Sequence, residues 1–249
     1  MRRTGIVLSG GGARGIAHLG VLQALEQKGM RPVALAGTSA GALVAALYAA
    51  GSSPEEIKGL FHDTAYFGLS HHLIGGPGLF NMSKMRTALE KHLGFKTFEE
   101  LPLRLFVAAT NLTAGTVEII STGPLVEPLM ASACVPAVFE PVVYRGCEWV
   151  DGGVMDNFPV DPLVSRCDYI VGSHVNRQSE WTIPAGSEHK SQILERCFHL
   201  AIARSVYEKA AKCHLFLDHP GLARFRLFDT GRADELFRLG YDYCLSNLP

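Results

Sequence analysis

Residues 5–50 read GIVLSGGGARGIAHLGVLQALEQKGMRPVALAGTSAGALVAALYAA, and their pattern decides the fold. An apolar run from Gly5 to Ser9 gives way to a glycine loop. From Ile16 to Lys28 the apolar residues Ile16, Leu19, Leu22 and Leu25 recur at spacing three, which makes one buried helical face, and Gly29 stops that helix. A second apolar run, Val33 to Ala36, leads into the alanine-rich stretch Ala40 to Ala50. Strand, helix, strand, helix at these lengths predicts an α/β fold with a mainly parallel sheet and helices packed on it.

The rest of the chain continues in the same manner. Ser53-Pro54-Glu55-Glu56 opens a helix with a capping box and a proline in its first turn, and Thr97-Phe98-Glu99-Glu100 repeats the capping pattern. Leu103–Thr110 and Val117–Ile120 read as strands, and Val142–Tyr144 with Glu148–Val150 as a hairpin turning at Arg145-Gly146. Tyr169–Val175 is a further strand, followed by a polar loop (Asn176–Lys190) and a helix over Gln192–Lys212. A short strand at His214–Leu217 and a helix at Arg232–Leu245 complete the pattern. No internal repeat divides the 249 residues, so one domain spanning 1–249 is expected. The segment Phe61–Met85 is rich in glycine, histidine and aromatic residues and reads as a lid or lipid-facing flap, with a packed surface loop as the alternative. Its His71-His72 pair has no carboxylate or cysteine at ligand spacing, so no metal site is expected there.

Composition narrows the function classes. A formal net charge of -1 without a basic cluster excludes the electrostatic footprint of a nucleic-acid binder. Six cysteines without C-x-x-C spacing fit reduced thiols in a cytoplasmic protein. Pro32–Pro54 carries no charged residue, but Gly37 and Gly41 split it into a short strand and a helix of about three turns, so a spanning segment is not expected. Any membrane contact would then be peripheral.

Within that run stands Gly37-Thr38-Ser39-Ala40-Gly41, a G-x-S-x-G between a strand and a helix. That is the context of a nucleophile elbow, in which a sharp turn exposes the serine hydroxyl and the helix N-terminus faces it. An attacking serine needs donors for the oxyanion and a base for its proton. The loop Gly10-Gly11-Gly12-Ala13-Arg14-Gly15 offers successive N–H groups at a helix N-terminus. The same string fits the dinucleotide pattern G-x-G-x-x-G, but no Asp or Glu lies between Lys28 and Pro54 to bind a ribose. Two bases are open by sequence order. Asp151, followed by Gly152-Gly153, could serve directly, or Ser39, Asp151 and His174 could form a triad.

Four blocks occur in register. They are the loop Gly10–Gly15, the elbow Gly37–Gly41, the stretch Ala131–Pro141 (ASACVPAVFEP) and Asp151–Pro159 (DGGVMDNFP), with a weaker echo in Asp229–Gly240. Together they resemble the patatin-like phospholipase family of bacterial type. The resemblance implies a three-layer α/β/α sandwich and a Ser-Asp dyad without histidine, with Ser39 as nucleophile and Asp151 as proton acceptor. It assigns the oxyanion donors to the N–H groups of Gly11 and Gly12, propped by Arg14, and gives Asn157 and Pro159 a structural part. Cys134 stands where the family often has a second serine. The implied activity is hydrolysis of carboxylic esters of lipids without calcium, metal or other cofactor, the partner being a lipid or fatty-acyl ester. Lipid transacylation and a non-catalytic lipid- or nucleotide-binding module are the alternatives. Retention of both Ser39 and Asp151 speaks against a pure binder.

Overall fold

Strand β1 (Thr4–Leu8) is buried at every residue, as a strand covered by helices on both faces must be. It belongs to the computed structural model of the chain, which describes residues 2–62, 82–136, 138–178, 189–226 and 229–249. Helix α1 (Ile16–Gln27) carries the chain back to β2 (Pro32–Thr38), which pairs parallel with β1. Helices α2 (Ala40–Ala49), α3 (Pro54–His62) and α4 (Ser83–Leu93) precede β3 (Arg104–Asn111), parallel to β2. Then come β4 (Thr116–Ile120), α5 (Val126–Ser132), the hairpin β5 (Val142–Tyr144) and β6 (Cys147–Asp151), and a single turn α6 (Asp161–Val164). Strand β7 (Tyr169–His174), α7 (His189–Ala210), β8 (Leu215–Asp218) and α8 (Ala233–Asn247) end the fold. The sheet order is β5-β6-β3-β2-β1-β7-β8 with β4 on β3, and the four inner contacts among β3, β2, β1, β7 and β8 are all parallel.

Side-chain alternation divides the core between two faces. Ile6, Leu8, Leu35, Leu105 and Val107 join α1, α2 and α8 in the larger cluster. Val7, Ala34, Ala36 and Phe106 join Phe158, Leu163, Ile202 and Val206 on the other face. The result is the expected three-layer α/β/α arrangement. On the larger face α1 and α8 cross where each offers a glycine. A Cβ on Gly20 would overlap the carbonyl oxygen of Phe237, and one on Gly240 would overlap that of Ala17.

One local arrangement positions everything that follows. Along one side of β3 runs antiparallel β4 (Val107–Asn111 against Thr116–Ile120). The other side is shared by two strands. Strand β2 pairs with Arg104–Ala108 and ends at Thr38 opposite Ala108, while antiparallel β6 pairs with Ala109–Asn111 and ends at Asp151 opposite Ala109. Two strands therefore meet end to end on one edge of β3.

The structure amends the sequence reading in several places. Helix α4 and helix α5 were not anticipated; Met85 falls inside α4, and Phe61 inside α3. The capping box at Ser53 forms as expected, with Ser53 N–H donating to Glu56 Oε2 at 2.8 Å. That at Thr97 closes only a 3-10 turn, Phe98–Glu100, rather than a helix. Helix α7 begins at His189, inside the stretch read as loop. The flap reading and His71-His72 fall in 63–81, outside the described residues. All six cysteines are free, as expected.

Candidate active site

The end of β2 turns at Ser39 with φ 54 and ψ −127, a conformation that a non-glycine residue adopts at a cost on the order of 1–3 kcal/mol. Helix α2 leaves directly afterwards, so its positive end faces the serine. The turn closes only because its flanks lack side chains. A Cβ on Gly37 would stand 2.6 Å from the carbonyl oxygen of Gly41, and one on Gly41 would overlap that of Leu8. The strained peptide is also held from outside, since the Ser39 N–H donates to Ser132 Oγ at 2.8 Å, a buried hydroxyl at the end of α5.

Because β2 and β6 meet on β3, Asp151 comes to lie beside Ser39. The Ser39 hydroxyl donates to Asp151 Oδ2 at 2.6 Å, and the second carboxylate oxygen, Oδ1, accepts from the Gly153 N–H at 2.7 Å. Both residues are buried. The turn after Asp151 needs Gly152 bare, as a Cβ there would run into the Ala108 carbonyl. Asp151 is fixed at its backbone as well, through its N–H to the Cys134 carbonyl (2.8 Å) and its carbonyl from Thr110 Oγ1 (2.9 Å). Burial raises the Asp151 carboxyl to about 6, against the opposing pull of the bonds from Ser39 and Gly153. At neutral pH it is ionised yet more basic than an exposed aspartate. Burial, with the nearby Asp151 charge, lifts the Cys134 thiol to about 11, and its Sγ donates to the Glu140 carbonyl. It stays a neutral thiol.

The glycine loop closes the site from β1. A Cβ on Gly10 would lie 3.1 Å from the Ser39 Cβ, and one on Gly15 would lie 2.7 Å from the Ala40 Cβ, so the loop rests against the elbow. Gly10 N–H donates to the Asn157 carbonyl, while the N–H groups of Gly11 and Gly12 make no hydrogen bond among the described residues. Arg14 is buried beneath the loop, its Nε donating to the Gly11 carbonyl at 3.4 Å.

His174 is not brought to Ser39. It sits on β7, across β1 from β2, and its Nδ1 meets Asp218 Oδ1 at 2.9 Å on β8, with its ring stacked on Phe216. Asp151 bonds Ser39 with no imidazole between them. The sequence reading missed several supports. Ser132 stood within a quoted block without a role. Lys209 of α7 pairs with Asp156 Oδ2 at 2.6 Å, and the Asp156 carbonyl accepts from Thr38 Oγ1 at 2.8 Å, which ties α7 to the residue preceding Ser39. The adjacency of Asp156 to the Asp151–Gly153 turn was the only available signal.

A profile of the patatin-like phospholipase family matches residues 6–164, which contain all four sequence blocks. The lysophospholipase NTE1 of Meyerozyma guilliermondii is 27% identical over 96% of this chain, and an uncharacterized NTE family protein of Mycobacterium tuberculosis is 35% identical over 65% of it. The chain spans only 19% of the first protein and 45% of the second. Among solved structures, VipD from Legionella pneumophila superposes with a TM-score of 0.56 over 98% of this chain and 66% of its own, at 16% identity, a likeness of fold. With its family profile matched over more than half its length and its four motifs in order on one site, the chain belongs to the patatin-like phospholipase family.

Proposed function

We propose that the chain is a serine acyl hydrolase acting on carboxylic esters of lipids through a Ser39–Asp151 dyad. The observation that carries this reading is the 2.6 Å bond from Ser39 Oγ to a buried carboxylate, made at a strained turn beside a glycine loop with unused N–H groups. Asp151 Oδ2 takes the Ser39 proton as Oγ attacks the ester carbonyl carbon. The N–H groups of Gly11 and Gly12, held by Arg14, receive the oxyanion. As the tetrahedral intermediate collapses, Asp151 returns the proton to the departing alcohol oxygen and the acyl group stays on Ser39. Water then gives a proton to Asp151 and attacks the acyl carbon. The second collapse releases the carboxylic acid, and Ser39 Oγ recovers its proton. A carboxylate raised to about 6 is suited to both directions of this transfer.

Relatives named lysophospholipases make a lysophospholipid the first natural substrate to assay. Among the described residues no helix is long and apolar enough to cross a membrane. The test is hydrolysis of a medium-chain nitrophenyl ester by the purified chain. Ser39→Ala and Asp151→Asn should each lower turnover ~10³-fold or more with the circular dichroism spectrum preserved. Full activity in Ser39→Ala overturns the reading. His174→Ala should retain most activity, and a loss equal to that of Asp151→Asn would replace the dyad by a triad.

A further inference from the structure

Three consecutive carbonyls of the glycine loop each accept a hydrogen bond from a different side chain. Ser9 O meets His18 Nε2 at 2.9 Å, Gly10 O meets Asn176 Nδ2 at 2.7 Å, and Gly11 O meets Arg14 Nε at 3.4 Å. A carbonyl only accepts, so the His18 ring carries its hydrogen on Nε2. Its Nδ1 is then left to accept from the Ser173 hydroxyl at 2.8 Å. The same logic orients the Asn176 amide with its NH2 group toward Gly10.

The donors come from three directions: α1, the segment after β7, and the loop itself. His18 is fully buried, Asn176 and Arg14 nearly so. Burying these polar groups costs free energy that aliphatic side chains would not, so their hydrogen bonds call for a reason beyond packing. The loop is also seated on the end of β7 and the segment after it that carries Asn176. Ser9 N–H donates to the Ser173 carbonyl at 3.0 Å, the Val175 N–H to Ser9 Oγ at 3.1 Å, and a Cβ on Gly11 would overlap Val175.

Glycine peptides rotate easily, because no Cβ restricts their dihedrals. A flip of the Gly10–Gly11 or Gly11–Gly12 peptide would replace an N–H aimed at the oxyanion with a carbonyl oxygen of the same sign. We propose that Asn176 is a positioning residue that, with Arg14, tethers the Gly10 and Gly11 carbonyls and thereby commits the N–H groups of the same two peptides, those of Gly11 and Gly12, to the oxyanion, while His18 positions the loop one peptide earlier, at Ser9–Gly10, whose N–H is taken by the Asn157 carbonyl. This rests on the acyl-hydrolase reading above.

The experiment compares wild type with Asn176→Ala, Asn176→Asp, His18→Gln and His18→Leu. It reads kcat and KM on a soluble ester, and the inhibition constant of a trifluoromethyl ketone, whose adduct with Ser39 carries the oxyanion. Asn176→Ala should lower kcat ~10- to 100-fold with KM within twofold, since one oxyanion donor is worth on the order of 10² to 10³. The ketone should weaken by the same factor. Asn176→Asp, nearly isosteric but with a carboxylate facing the Gly10 carbonyl, should be worse than the alanine variant. His18→Gln, which keeps an amide donor, should exceed His18→Leu. If His18→Leu does not fold, the two Asn176 variants decide. Folded variants with unchanged kcat and ketone affinity, or a loss confined to KM, overturn the proposal while the hydrolase reading stands. A wild type that neither cleaves the ester nor binds the ketone overturns both.

Discussion

At the scale of single residues, the proposed dyad makes Asp151 the group that sets the pH behaviour. Its carboxylate must be ionised to receive the Ser39 proton, and burial raises it to about 6. The rate kcat/KM is therefore expected to be flat near pH 8 and to fall about tenfold per unit below a midpoint near 6. A pH–rate profile with a midpoint near 4 would mean that burial does not tune this group. The same shift has a consequence for stability. A carboxyl that holds its proton to higher pH in the folded state than in the unfolded one favours folding below about pH 3.8. That contribution is lost as the pH rises through about 6. Asp151→Asn removes the charge that burial penalises. It should raise the melting temperature at pH 7 to 8, by on the order of 3 kcal/mol of stability, with the gain disappearing below about pH 4. Equal melting curves for the two proteins at both pH values would contradict this. A loss of activity accompanied by a gain in stability is the expected mark of a group strained for function.

At the scale of elements, the strand–helix alternation of residues 5–50 was legible because each element is long, periodic and bounded by glycine. Helix α5 was not, since its seven residues include Pro128 and lack a capping side chain, and its buried face is fixed by packing on β3 rather than by any local pattern. Helix α4 does carry a readable pattern, with Met85, Ala88, Leu89 and Leu93 buried on one side, but the glycine-rich stretch before it obscures where it starts. The candidate site divides in the same way. Ser39, Asp151 and the glycine loop announce themselves through turn chemistry. Ser132, His18 and Asn176 act on backbone atoms outside their own elements, and a backbone partner, whether N–H or carbonyl, leaves no trace in residue identity. The crossing of α1 and α8 is similarly silent, because Gly20 and Gly240 look like weak points in two helices until their partners are seen. Gly240→Ala would force the backbones apart and should cost ~1–3 kcal/mol. The check is chemical denaturation; a midpoint within error of wild type would show that the crossing yields without strain.

At the scale of the whole molecule, the two layers of helices enclose a sheet whose reactive groups gather at one end. The oxyanion is expected to be met by backbone N–H groups, so turnover of a lysophospholipid should be unchanged when EDTA replaces calcium in the assay. A requirement for added calcium would mean that the loop does not suffice. The end-to-end meeting of β2 and β6 on β3 bears on how this site tolerates change elsewhere. Thr38 and Asp151 are registered to adjacent residues, Ala108 and Ala109, so a single peptide unit of one strand acts as the ruler between Ser39 and Asp151. Twisting of the sheet, or a shift of the outer helices, carries both groups together and leaves their separation nearly constant. Substrate-facing segments can therefore diverge in length and sequence while the chemical step keeps its geometry.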